Sequence, residues 1–124
     1  MKHLFILLGS LNLMLVVILG AFGAHALGNR LSESMMSVYQ TGIQYHFYHA
    51  VGLILVGIIA FHISAPTLLK WSGGLMLLGI VLFSGSLYLL TLTETRWLGM
   101  ITPFGGLAFI LSWLLLAIAA YRTL

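Results

Sequence analysis

The chain has no cysteine, no aspartate and almost no charge. Without cysteine there is no disulfide, no thiolate metal ligand and no cysteine nucleophile. Without aspartate, the only side-chain carboxylates are Glu33 and Glu94. Neither stands beside a histidine to orient it, so a serine–histidine pair drawn from Ser84-Gly85-Ser86 and His46 or His49 lacks a third member. Charged residues are 6% of the 124, against roughly 25% in a soluble domain. Such a chain cannot clothe a surface in water-seeking groups. Hydrophobic residues make up 61%, and mean hydropathy is +1.14. A soluble globular domain is excluded, and residues 1–124 read as a single integral membrane domain.

The little charge present is informative by its placement. Lys2, Arg30, Lys70, Arg96 and Arg122 stand singly at the ends of apolar runs. Nucleic-acid binding needs a clustered basic face, so no nucleic-acid partner is expected. Single basic residues at span ends are anchors and topology signals, and the expected surroundings are a lipid bilayer.

Four apolar stretches predict an all-α, four-helix membrane bundle with spans at about 4–27, 45–63, 70–92 and 98–121. Lys2, the apolar run and Ala24-His25-Ala26 resemble a cleavable signal peptide, but the run is longer than the usual 7–15 residues of such a peptide. It is therefore expected to be an uncleaved first span. Gly9, Asn12, Val16, Gly20, Gly23 and Leu27 share one helical face. Gly20, Ala24 and Gly28 add small residues at every fourth position, which suits close helix packing in lipid. Asn12 is expected to point into the bundle, because a polar amide in hydrocarbon needs a partner. Gly28 and Asn29 are expected to end this helix.

Residues 32–44 alternate an apolar stripe (Met35, Val38, Gly42) with a polar one (Ser34, Ser37, Thr41, Gln44). This predicts an interfacial amphipathic helix between spans 1 and 2, with Ser32 as its N-cap. In span 3, Trp71 and Tyr88 are expected at the two interfaces, and Ser72, Gly79 and Ser86 recur every seven residues. In span 4, Gly105, Ser112 and Ala119 do the same. The start of span 4 has two candidates, Leu98 by hydropathy and Thr102-Pro103 by capping chemistry. With four spans both termini share one side. That side holds Lys2, Lys70 and Arg122 and the other holds Arg30 and Arg96, a majority for cytoplasmic termini.

This topology gathers the polar motifs on the opposite side. His25, Gln44, Tyr45, His46, His49, Ser84, Ser86, Tyr88 and Thr102 are the candidate functional cluster. Asn12, Gly20, Gly23, Ala24, Gly79, Gly105 and Gly106 are the candidate packing positions. Gly23-Ala24-His25-Ala26-Leu27, Tyr45-His46, His49-Ala50, Leu82-Phe83-Ser84-Gly85-Ser86-Leu87-Tyr88 and Ile101-Thr102-Pro103-Phe104-Gly105-Gly106 resemble the motifs of domain-of-unknown-function family 423, small four-span bacterial proteins. A short mitochondrial-type transmembrane protein of animals is similar to that family. The resemblance runs over essentially the whole chain. It implies a four-helix protein of the bacterial inner membrane and carries no catalytic residues over.

Two chemistries remain open from the residues. His46 and His49 lie three apart on one helix face. With His25 they make three imidazoles that suit a metal or haem, to which Glu33 or Glu94 would add a carboxylate. A quinone or lipid headgroup would instead use the His, Tyr, Gln and Ser side chains, and the helix start at Thr102-Pro103. Against both stands the simpler expectation that each histidine bonds to a neighbouring helix and each glycine serves packing. Transport lacks an intramembrane acid–base relay. The leading expectation is a non-enzymatic membrane subunit or scaffold that binds lipid, a membrane-protein partner or a second copy of itself. The sequence names no cofactor.

Overall fold

The computed structural model describes residues 1–124, and its regular structure is all helical, joined by short turns. The helices are α1 (Lys2–Ala26), α2 (Glu33–Ile59), α3 (Pro66–Gly79), α4 (Gly85–Thr93) and α5 (Thr102–Arg122). A π-helical turn at Ile80–Ser84 fuses α3 and α4 into one rod, and a 3₁₀ segment at Arg96–Met100 leads into α5. Four helices, Lys2–Ala26, Glu33–Ile59, Pro66–Thr93 and Arg96–Arg122, are long and apolar enough to cross a membrane. The chain is an all-α membrane protein. α1 packs on α2, α3 packs on α5, and α2 joins the two pairs by touching α3, the π turn and α4. Both chain ends lie with the turn after α2: Lys2 shares a depression with Phe61 and Ser64, and Arg122 shares one with Ala65 and Pro66.

The segment 33–44 is helical, but it is not a separate interfacial helix; it forms the first three turns of α2. The reason is a stripe that never breaks. Tyr39, Gly42, His46, His49, Leu53, Val56 and Ala60 recur at alternating steps of three and four, and all are buried. The polar stripe through Ser34, Ser37 and Gln44 simply faces outward. At about 1.5 Å per residue α2 is near 40 Å long, against a bilayer core of about 30 Å, so one end of it can be polar without lying flat. Ser32 does cap it, its Oγ accepting from the Met35 N–H at 3.2 Å.

Three boundaries differ from the hydropathy estimate. α1 stops at Ala26, and the turn is held by the Leu27 carbonyl, which accepts from Arg30 and Leu31. No glycine has a positive φ, so Gly28 does not end the helix by left-handed geometry. α3 begins at Pro66 rather than Lys70, since proline is at home in a first turn. α5 begins at Thr102 after the 3₁₀ segment, but Thr102 does not cap it: Ile101 is the cap residue, and the Thr102 hydroxyl bonds elsewhere.

The two seven-residue seams meet face to face. Ser72 Oγ donates to the Ser112 carbonyl at 2.8 Å, and Gly79 lies directly under the Phe109 ring. Ser86 Oγ and Thr102 Oγ1 are 2.6 Å apart. Gly105 marks the closest approach. A Cβ there would strike the Phe83 backbone nitrogen. Between α1 and α2, Gly9 and Gly57 do the same against the backbone at Ala50 and Lys2, where an added Cβ would sit 2.8 Å from each carbonyl oxygen. The apolar core fills the rest with Phe5, Leu53, Val56, Leu69, Met76 and Phe109.

Candidate functional site

The buried stripe of α2 carries its two histidines into different contacts. His46 is thirteen residues past Glu33 in a 27-residue helix, so it lies midway along α2 and not at its mouth. Its ring joins α1 and α4. His46 Nε2 donates to Asn12 Oδ1 at 2.9 Å, and the Tyr88 hydroxyl donates to His46 Nδ1 at 2.9 Å. Asn12 completes the chain by donating from Nδ2 to the Leu8 carbonyl at 2.8 Å. With Nδ2 so engaged, Asn12 presents only an acceptor to the histidine, which sets His46 as the neutral Nε2–H tautomer.

His49 turns toward α5. The Trp113 indole N–H donates to His49 Nε2 at 2.9 Å, and His49 Nδ1 donates to the Tyr45 carbonyl at 2.7 Å. An indole nitrogen can only donate, so His49 is the opposite neutral tautomer, protonated at Nδ1. Its ring stacks on Phe109 with centroids 3.5 Å apart and planes 9° off parallel. The i, i+3 spacing therefore does not aim the two imidazoles at one point. It aims them at different partners, His46 at α1 and α4 and His49 at α5.

The proposed three-imidazole centre is not formed. His25 is exposed at the end of α1, and no group of three metal-ligating side chains gathers in the structure. The lone pair on each buried histidine is already taken, by Tyr88 in one case and Trp113 in the other. A metal or haem iron would have to displace these bonds. Gln44 is likewise exposed and joins nothing, while Tyr88 turns inward instead of anchoring an interface.

The remaining predicted polar residues are cross-links. Ser84 Oγ donates to the Gly42 carbonyl at 2.7 Å, tying the π turn to α2. Ser86 Oγ donates to the Phe83 carbonyl at 2.8 Å, inside the widened turn. That leaves Thr102 to donate to Ser86, joining α4 to the start of α5. Every buried side-chain nitrogen and oxygen has a partner. Bonds of this kind between membrane helices contribute about 0.6–2 kcal/mol each. Together they fix which face of each helix meets its neighbour.

Sequence reasoning missed Tyr39 and Trp113. Tyr39 OH donates to the Leu19 carbonyl at 2.5 Å, and its ring lies 5.5 Å from that of Tyr88. Tyr39 stands seven residues before His46 on the same stripe, which was the available signal. Trp113 lies in the middle of α5, where an indole N–H needs a protein partner because no water is at hand. Gly23 makes room for Tyr39: a Cβ there would sit 2.5 Å from the ring. Gly20 and Gly106, by contrast, have open space or only ordinary contact above them.

Residues 19–106 match the family model described as a protein of unknown function, DUF423. The chain is 49% identical to the UPF0382 membrane protein YwdK of Bacillus subtilis over 97% of this chain and 98% of that one. It is 50% identical to a UPF0382 membrane protein of Staphylococcus haemolyticus over 96% of each chain, and 44% identical to one of Staphylococcus aureus over 96% of each. No solved structure matches it. Four candidate spans and near-full-length likeness to bacterial membrane proteins agree with the motifs around His25, His46, Ser84 and Thr102, and the chain belongs to the DUF423 family of multi-pass membrane proteins.

Proposed function

We propose that the chain is a non-enzymatic subunit or scaffold of the bacterial inner membrane, with cytoplasmic termini, that binds lipid or a partner membrane protein along the outer side of α1 and α2. The observation that carries this reading is the closure of the polar centre. Both buried histidines, Asn12, Tyr88 and Trp113 spend their hydrogen bonds on one another or on backbone. Such a centre holds helices and has no unpaired polar atom left for chemistry on a substrate. Away from that centre lies an open groove of about 410 Å³ lined by Gly20, Gly23, Ala24, Met36, Tyr39 and Ile43. Small residues there permit close approach of a helix or an acyl chain. The likeness to proteins named only as membrane proteins is consistent with this reading.

The test is native mass spectrometry of protein extracted gently from its own membranes. A stoichiometric protein or lipid adduct is expected, and it should be lost in Gly20→Leu, whose added side chain enters empty space and should leave the fold intact. A colourless, metal-free preparation would agree with this. Stoichiometric metal or haem that disappears in His46→Ala and His49→Ala would overturn the reading.

A further inference from the structure

On the opposite face from the α1–α2 groove, Tyr45, His49, Phe83, Gly106, Phe109 and Trp113 enclose a cleft of about 390 Å³ between α2 and α5. Its mouth is lateral. Tyr45 is 38% exposed, Trp113 39% and the flanking Ile110 65%, and in a spanning bundle that exposure is to lipid. We infer that this cleft binds a flat, lipid-soluble ring carrying an oxygen acceptor, of the quinone class, which enters from the bilayer.

Three features support a ring over a simple acyl chain. The cleft is walled almost wholly by aromatic groups. The planes of Tyr45, His49 and Phe109 lie within 20° of one another, an arrangement suited to offset stacking with a further ring. Tyr45 is also left with an unspent polar group. It meets the network through its carbonyl alone, and its hydroxyl has no partner within the chain. Tyr45 stands next to His46 near the middle of α2, on the wall of the cleft. A ligand oxygen would accept from the Tyr45 hydroxyl. Finally, Gly106 is not demanded by packing. A Cβ there would meet only the Phe83 ring at 3.8 Å, yet glycine is less favourable than alanine inside a helix. A small residue at this position keeps the cleft open. The volume lies within the range of about 300–1,000 Å³ found for ligand pockets.

The inference goes beyond the scaffold reading and is separable from it, since the two surfaces are distinct. Trp71 and Trp97 are both more than 60% exposed, so Trp71→Phe and Trp97→Phe together leave Trp113 as the sole tryptophan. This protein in lipid nanodiscs, excited at a wavelength that tryptophan absorbs and tyrosine does not, is titrated with a decyl-substituted benzoquinone. Saturable quenching at one equivalent is expected. Gly106→Leu should abolish saturation, Gly106→Ala should retain it with a melting temperature unchanged or slightly raised, and Tyr45→Phe should weaken it about fivefold, the loss of one hydrogen bond. Quenching that rises linearly and identically in Gly106→Leu would be partitioning only and would overturn the proposal. Equal competition by a saturated decyl chain without the ring would overturn it as well.

Discussion

His46 Nε2 reaches Asn12 Oδ1 over 2.9 Å, joining the midpoints of α2 and α1 by a bond that no other pair of side chains on these two helices duplicates. Replacing Asn12 by leucine leaves the histidine N–H without an acceptor. The expected loss of stability is about 1–2 kcal/mol, and the coupling in a double-mutant cycle with His46→Phe is expected at about 0.5–2 kcal/mol. Equilibrium unfolding in mixed micelles reads both. Strict additivity would mean that the bond does not hold the helices.

The two histidines should be distinguishable by tautomer. Nitrogen-15 NMR of histidine-labelled protein should report His46 protonated at Nε2 and His49 at Nδ1. Trp113→Phe keeps most of the packing but removes the indole donor, and it should shift the His49 Nε2 resonance while leaving His46 in place. One common tautomer for both rings would contradict the bonding pattern around Asn12 and Trp113.

Adjacent glycines should differ sharply. Gly105→Ala pushes a methyl group into the Phe83 backbone, and destabilisation of about 1–3 kcal/mol is expected from overpacking. Gly106→Ala should be neutral or slightly stabilising. Paired melting curves suffice; equal effects would place the close contact elsewhere.

Membrane orientation is open to chemical labelling, because the chain has no cysteine of its own. Cysteines introduced at Ser34 and Glu94 are expected to react with an impermeant thiol reagent added outside intact cells. One at Ala65, at the end that holds both termini, should react only after permeabilisation. The reverse pattern would place the termini outside.

Much of the fold was legible because hydrocarbon imposes a simple code. Long uncharged runs gave the helices, and the seams Ser72-Gly79-Ser86 and Gly105-Ser112-Ala119 marked the two faces that meet. The sequence divides α2 because its polar outer stripe outweighs its apolar inner one over residues 33–44, although Tyr39 and Gly42 belong to the stripe of His46 and His49. The site was legible as residues but not as pairs. Nothing in the spacing of His46 and His49 says that one turns to Asn12 and the other to Trp113, since that depends on how α2 is rotated between its neighbours. The π turn left no trace that periodicity could detect.

That turn has a further meaning for how the chain tolerates change. A π turn holds one residue more than an α-helix would place in the same length, so it resets the angular phase of everything after it by about 100°, one residue's rotation. Ser72 can face Ser112 before the turn, and Tyr88 can face His46 after it, because the offset has been inserted between them. Deleting a single residue within Ile80–Ser84 would let the turn close to α-helical geometry with the downstream segment still aimed as before, whereas a deletion in the regular helix on either side of the turn would misaim everything beyond it. The rod is in this sense a gear with a keyed joint: its two halves carry independent address codes, and the key is a count of residues that no particular amino acid specifies.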